Sequence, residues 1–406
     1  MKNILKNKKI ALCVCGSISA YKSVDLASKW VQQGADVKVL MTKSAQKFIG
    51  KATFEGITHN KVVDDLWNNE SDLNIDHLDI AKNSDLLIVS PITANMISKI
   101  AHGVSDDIIS TTLLATEKPI IIAPAMDGNM YEHFGVKKNI LRSKLKQIFL
   151  KHQLSNKHAE VCSNYLIKAE ILEAKSHGLA RLKMYCDRLK ARIINPKPKI
   201  KIKKISSSVS YVNADNSIGF VSADIGIKQA IKNAKNTGIG LVAIKKSGHY
   251  GLSSFYAEQA VKNKLMVFCF TNAPAALAPH GAKKSLFGTN PICFGVPTGK
   301  VPFIYDASTS MINRGTIRRA DKLGLKIPYG VALNKKGKIT TNAKEALKGT
   351  QLPIAGFKGS GLAWMVDILS GVFTGGSHGG KTKDPFDDFS GPQNMGHLFI
   401  TINPKI

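Results

Sequence analysis

Short apolar runs alternate with longer amphipathic stretches over the first third of the chain, and the two kinds of segment differ in period. The runs Ile10 to Val14, Val37 to Met41, Leu86 to Ser90 and Pro119 to Ala123 are almost continuously apolar and of strand length, as strands buried on both faces are. The stretches between them read as helices, so the pattern predicts a parallel sheet covered by helices. Between the first two runs, GSISAYKSVDLASKWVQQG supplies a glycine turn, a small-residue helix start and a stop at Gly34. Backbone N–H groups around Gly16, Ser17 and Ile18 then face any anion held at the positive end of that helix. MTKSA follows the second run, SPITANMISK the third and APAMDGNMY the fourth. In an open parallel sheet these loops share the carboxyl edge, where ligands bind.

From about Leu141 the wording changes. Helical periodicity runs to a break at Ser155, a helix-capping residue type, and ends in a glycine-containing turn, which predicts two short helices opening a second domain. The expected division is residues 1–140 and 141–406, with no Pro/Gly/Ser linker between them. Strand-like runs follow at Leu241 to Ile244, Met266 to Phe270, Ile292 to Gly295 and Ile304 to Asp306, and KPKIKIKK (197–204) reads as an exposed edge strand guarded by lysines. Several clusters here suit a 2-oxo acid, which needs a cation for its carboxylate and a proton source for its carbonyl. Ser176, His177 and Arg181 lie in SHGLAR, where His and Arg share a helical face if the turn continues as helix. His249 stands at a glycine-flanked strand end, Asp306, Ser308, Thr309 and Ser310 follow another strand, and Lys358 sits in GFKGSGLA. On residue type alone, each histidine is as readily a satisfied core residue as a functional one.

Composition narrows the picture. Hydrophobic residues at 44% and charged residues at 21% are ordinary for a globular protein. The longest apolar runs fall far short of the roughly 18–20 residues of a membrane span, and the lysine-preceded apolar stretch at the N-terminus runs into the Gly16 turn as a first strand. Six cysteines without a CxxC pair suggest reduced thiols, and a cytoplasmic protein is expected. The net charge of +28 is mostly lysine spread along the chain without a binding motif, so it reads as compositional bias rather than a nucleic-acid surface. No Asp, Glu, His or Cys grouping has metal-ligand spacing.

The four loops of the first half, from about Lys9 to Asn139, together resemble the flavin-containing cysteine decarboxylases, especially the flavoprotein half of phosphopantothenoylcysteine decarboxylase. The resemblance implies a Rossmann-like, flavodoxin-like domain holding FMN, its phosphate on Gly16, Ser17, Ile18 and Thr42 to Ala45. It also implies flavin contacts from Ser90, Thr93, Asn95 and Met126, an active-site role for His77, and a substrate-carboxylate contact from Asn95. Asp127 and Tyr131 replace an amide and an indole of the family pattern, and nothing after Asn139 matches the family's reactive-cysteine segment, so FMN binding is favoured over decarboxylation. A decarboxylase of coenzyme A synthesis stays open as an alternative.

In order, SHGLARL, SGHYG, LFGTNP, YDASTS, FKGSGLAWMVDILSGVFTGG and PQNMGH resemble the type 2 malate/L-lactate dehydrogenase family, over about Leu141 to Ile406. The resemblance implies a mixed α/β fold without the usual dinucleotide fingerprint, and NAD or NADP as cofactor. It implies His249 as acid/base, Ser176 and His177 as a supporting relay or alternative proton donor, and Arg181 as the partner of a carboxylate or a cofactor phosphate. Tyr250, Gly251, Leu252 and Ser253 line the substrate pocket by the same analogy, and Asp306, Ala307, Ser308, Phe357 and Lys358 hold the cofactor. Which histidine is the acid stays open. Both modules read as truncated relative to their families, which favours a homo-oligomer and leaves a fusion of modules with little activity as a third reading. The leading expectation is an oxidoreductase of small 2-hydroxy acids with an FMN-binding module attached.

Overall fold

The four apolar runs of the first third form the strands they predict: β1 Lys9–Val14, β2 Asp36–Met41, β3 Leu86–Ile92 and β4 Ile120–Pro124. They pair in parallel in the order β2-β1-β3-β4, a flavodoxin-like order whose direction reverses between β1 and β3. Alternate residues of β1 feed two cores: Ala11 and Cys13 face one layer of helices, and Ile10, Leu12 and Val14 face the other. Burial on both faces is why these strands read as continuous apolar runs. The computed structural model describes residues 4–67, 76–174 and 176–405.

The chain divides into two compact units, Met1–Gln147 and Ile148–Ile406. The division falls inside the helix Phe134–Lys151, an 18-residue element that begins ahead of Leu141. The second predicted helix spans Asn156–Ile171, also longer than expected, and Ser155 caps it by accepting from the His158 backbone N–H at 3.3 Å. Replacing Ser155 with Ala is expected to cost about 1 kcal/mol. Faster hydrogen exchange of first-turn amides, with β1 amides unchanged, would register the loss; equal exchange in both proteins would argue against the cap.

In the second unit a mixed sheet contains β5 Lys201–Lys204, β6 Val209–Asn213, β7 Ile239–Ser247, β8 Met266–Thr271, β9 Ile292–Val296, β10 Phe303–Ala307 and β13 Met395–Ile402. Its order is β10-β9-β8-β13-β7-β6-β5, and β6 with β7 is its parallel pair. A separate ribbon pairs β11 Ala332–Leu333 with β12 Thr350–Gln351. β5 is the edge strand, and every residue of it is exposed, as the lysine-guarded pattern predicts. The chain is thus a parallel α/β unit followed by a mixed α/β unit. Among the described residues no helix is long and apolar enough to cross a membrane.

Candidate active site

After the helix Asn156–Ile171, the chain passes through a turn and one 3-10 turn at Leu179–Arg181 before the helix Leu182–Lys190 begins. His177 and Arg181 therefore do not share a helical face, contrary to the reading of their spacing. Arg181 folds back instead, its Nε donating to the Ser176 carbonyl at 2.7 Å, and Ser176 Oγ lies 2.9 Å from His177 Nδ1. His249, in the loop after β7, meets His177 ring against ring, with centroids 5.8 Å apart and planes 20° from parallel. Tyr185, one turn beyond Arg181, holds its hydroxyl 2.6 Å from His249 Nδ1. The His249 backbone N–H donates to Gln393 Oε1 at 3.2 Å. Ser176, His177, Arg181 and His249 thus converge from two distant segments.

Burial is the main reason that both imidazoles resist protonation, and the Arg181 guanidinium is the second. His177 is pushed down to about 4, and His249 lies well below its ordinary value. Burial raises Tyr185, so it stays a neutral phenol. Such a hydroxyl donates to Nδ1 or accepts from it, and so supports either tautomer of His249. A carboxylate in that place would instead favour the imidazolium.

A fully buried third histidine underlies this pair. His397 Nδ1 lies 2.7 Å from Thr271 Oγ1, and its Nε2 lies 2.8 Å from Ser247 Oγ. Tyr250 stacks on its ring at 4.4 Å and hydrogen-bonds Ser253 Oγ at 2.7 Å. Tyr250 and Ser253 are both buried. They support the histidine loop from beneath, whereas the family analogy puts them on a pocket wall. Gly251 adopts a left-handed backbone beside Phe220 in the same packed layer, and Leu252 is half-buried.

Further cations stand near Arg181. Two guanidiniums pack on the Phe386 ring, Arg181 at 4.7 Å and Arg318 at 4.0 Å from its centroid. Arg318 belongs to the helix Arg314–Lys322, capped by Asn313, whose first turn presses on Ser176: a Cβ on Gly315 would stand 2.9 Å from Ser176 Cβ. Arg314 keeps its Nε buried without a hydrogen-bond partner. The carboxylates nearest Arg318, Asp384 and Asp387, are 3.9 and 3.8 Å away, at the outer limit of an ion pair. Arg181 lies beside the two neutral imidazoles, and Arg318 and Arg314 lie near it through Phe386 and each other, a grouping suited to an anion with a protonatable oxygen.

The proposed cofactor residues fall in two places. Asp306 accepts from the Ser254 backbone N–H at 2.8 Å, so its carboxylate is committed to the start of the helix Ser254–Lys262. Ala307 and Ser308 are half-buried on the strand end that follows, and Ser308 donates to the Ser310 carbonyl. Phe357 and Lys358 open the helix Phe357–Asp367 with both side chains exposed. Beside Phe357 lies an open cleft of about 550 Å³, walled by Met311, Leu352, Pro353 and Gly356, with His280 and Lys283 at its rim. It contains neither His177 nor His249.

In the first unit, Gly16 lets the turn after β1 approach the loop after β2: a Cβ there would lie 2.6 Å from Ser44 Cβ. Ser17 caps the 3-10 turn Ile18–Tyr21 and donates to the Ala125 carbonyl at 3.3 Å, tying the loops after β1 and β4 together. Thr42 Oγ1 accepts from the Ala45 N–H, and Thr93 caps the helix Ala94–His102, in whose first turn Asn95 is exposed. The Ser90 carbonyl accepts from Ser23 Oγ at 2.6 Å. Met126 packs against the core, and Asp127 caps the short helix Gly128–Glu132 through Asn129 N–H. His77 stands at the start of the helix Asp76–Asn83 that returns to β3, which the topology puts at the same carboxyl edge. Large apolar side chains are left exposed on these loops, among them Ile18, Tyr21, Met130 and Tyr131.

Tyr185, Arg314, Arg318 and Phe386 belong to the arrangement but were not singled out from the sequence, and Gln393 and His397 entered only within the PQNMGH motif, without a role. Tyr185 carried a usable signal, standing four residues after Arg181. The others come from segments whose proximity no local pattern encodes.

Residues 136–406 match the family model described as malate/L-lactate dehydrogenase, and residues 2–174 match that described as flavoprotein. A malate/(S)-sulfolactate dehydrogenase of Methanothermus fervidus is 36% identical over 255 residues, covering 62% of this chain and 74% of the relative. An Escherichia coli ureidoglycolate dehydrogenase (NAD+) is 32% identical, over 66% of this chain and 75% of the relative. The solved structure of Methanocaldococcus jannaschii sulfolactate dehydrogenase superposes with a TM-score of 0.62 at 35% identity, covering 66% of this chain and 77% of that one.

Proposed function

Because the chain belongs to the malate/L-lactate dehydrogenase family over residues 136–406, we propose that it interconverts a small 2-hydroxy acid and its 2-oxo acid with NAD or NADP, favouring substrates that carry a second acidic group. The observation that supports this reading best is the meeting of His177, His249 and Arg181, flanked by Arg314 and Arg318. Arg181 pairs with the carboxylate next to the reacting carbon. Arg318 and Arg314 receive the second anionic group, a carboxylate or a sulfonate. His249 exchanges a proton with the substrate oxygen through Nε2, since Nδ1 is engaged by Tyr185. Ser176 holds His177 as the supporting or alternative donor.

The nicotinamide supplies or accepts the hydride when bound. The apolar-walled cleft next to Phe357 has the size of a nucleotide-binding site. Phe357, Lys358, Ala307 and Ser308 are the residues assigned to hold the cofactor. The backbone commitment of Asp306 makes it a support for that strand end. The decisive assay is a screen of 2-oxo acids against NADH and NADPH. Oxaloacetate or sulfopyruvate should exceed pyruvate in kcat/KM at least tenfold; no turnover of any 2-oxo acid would sink the reading.

The flavoprotein match gives the first unit a separate assignment, FMN at the carboxyl edge of its sheet. The residues fit: Ser17, Thr42 and Ser44 surround the close Gly16 turn at a helix start, and the exposed apolar side chains nearby suit a ring system. Asp127 spends its carboxylate on a helix cap. Protein purified in the dark should carry a flavin absorption band, reduced when Gly16→Val crowds the turn. A colourless chain that takes up no added FMN would refute this assignment.

A further inference from the structure

Among the described residues Arg188 is the bulkiest fully buried side chain; it makes no ion pair with a carboxylate, and only the longer-range charges of Asp388 and Asp384 favour its guanidinium. Its Nη1 and Nη2 donate to the backbone carbonyls of Asp388 and Gly391, at 2.8 and 3.2 Å. The Asp388 carboxylate turns away, accepting from the backbone N–H and hydroxyl of Ser390. Arg188 Nε has no hydrogen-bond partner, nor has the equally buried Ser217 Oγ. Both residues line one small void together with Gly248 and Gln393, and about 10 Å³ of it can take the centre of a water-sized species. That is room for one such species.

A buried guanidinium with no carboxylate at ion-pair distance is costly, and the carbonyl dipoles and the more distant Asp388 and Asp384 compensate it only in part. The two unused groups at the void, Arg188 Nε–H and Ser217 O–H, can both donate. An occupant that only accepts, and brings a negative charge, satisfies both and neutralises the arginine. We propose that this void is a binding site for a single halide ion, chloride under ordinary conditions, held by Arg188 Nε and Ser217 Oγ. Sulfate and phosphate are too large for it.

The position gives the ion a consequence. Arg188 belongs to the helix Leu182–Lys190 that presents Tyr185, and the carbonyls it holds lie in the segment that also carries Phe386 and Gln393. Gln393 accepts from the His249 backbone N–H on the wall of this same void. The halide therefore fastens the segment 384–393 behind the two histidines. The inference does not depend on which substrate the site takes, and its test reads binding and stability rather than turnover.

The full chain would be crystallised, soaked in sodium bromide and measured at the bromine edge. In parallel, its thermal unfolding would be followed in sodium chloride and in sodium gluconate at equal ionic strength. An anomalous peak within hydrogen-bonding distance of Arg188 Nε and Ser217 Oγ is expected, with a Tm higher in chloride by on the order of 3 °C. Ser217→Ala keeps the buried arginine and should raise the chloride midpoint roughly tenfold, the loss of one charge-assisted hydrogen bond. No bromide signal in the void, or a chloride response equal to that in gluconate, overturns the proposal. Arg188→Gln is the harsher variant; if it fails to fold, the wild-type and Ser217→Ala measurements still decide.

Discussion

Replacing His249 with Ala is expected to lower kcat/KM for 2-oxo acid reduction by on the order of 100-fold or more, the usual worth of a positioned proton donor. The argument rests on where its ring is fixed. Tyr185 takes Nδ1, Gln393 holds the backbone and His177 covers one face, so Nε2 is the atom left for the substrate oxygen. In the free protein that imidazole is neutral at pH 7, because burial and Arg181 hold its pKa down. Binding an anionic substrate to Arg181 cancels the second of those causes and moves the pKa upward, so substrate binding should take up protons from a weakly buffered solution. Tyr185→Phe removes the Nδ1 partner without emptying the space, and a smaller kcat loss with little change in KM is expected. His177→Ala decides the assignment: a loss of on the order of 100-fold there, with a wild-type rate in His249→Ala, would transfer the role to His177.

The same burial fixes the sign of the acid response of the fold. His177 at about 4 and His397 at about 3 lie below the roughly 6.5 of an exposed imidazole, so the unfolded chain binds more protons than the folded one between those values. Their contribution to stability is complete above about pH 6.5 and drains away as the pH falls towards 4 and then 3.

Much of the architecture was legible because it is local. Continuous apolar runs gave β1 to β4, alternating Lys and Ile gave the edge strand β5, and Ser155 marked its helix. The misreadings were also local in origin. SHGLAR has helical spacing, yet the chain turns there so that Arg181 can reach back to the Ser176 carbonyl. The family resemblance implies that Tyr250 to Ser253 line the pocket; Tyr250 and Ser253 are buried beneath the loop, and a motif match does not tell which of its side chains turn inward. The roles of Arg318, Phe386 and His397 were invisible for a different reason: these residues reach the histidines through the packing of segments far along the chain. No periodicity carries that information.

Of the three guanidiniums, Arg318 should decide which acids are accepted, and Arg318→Met provides the test. Arg181 acts on both histidines and, in the proposed reading, takes the carboxylate that every 2-oxo acid carries, so Arg181→Met should weaken all substrates alike. Arg318 shares the Phe386 ring with it but is not among the charges acting on the histidines, so in the proposed reading it meets a group extending beyond the reacting carbon. Its acidic neighbours stand 3.9 and 3.8 Å away, so a substrate carboxylate or sulfonate at hydrogen-bond distance competes well with them. A hydrogen bond to a charged group contributes about 1.5–3 kcal/mol, which corresponds to roughly a 10- to 100-fold loss of kcat/KM. That loss should fall on oxaloacetate or sulfopyruvate, with pyruvate nearly unaffected and the substrate preference narrowed or reversed. Equal losses on the one-acid and two-acid substrates would show that Arg318 supports the Phe386 segment and does not touch the substrate, and the preference for a second acidic group would then need another cation, with Arg314 next in line.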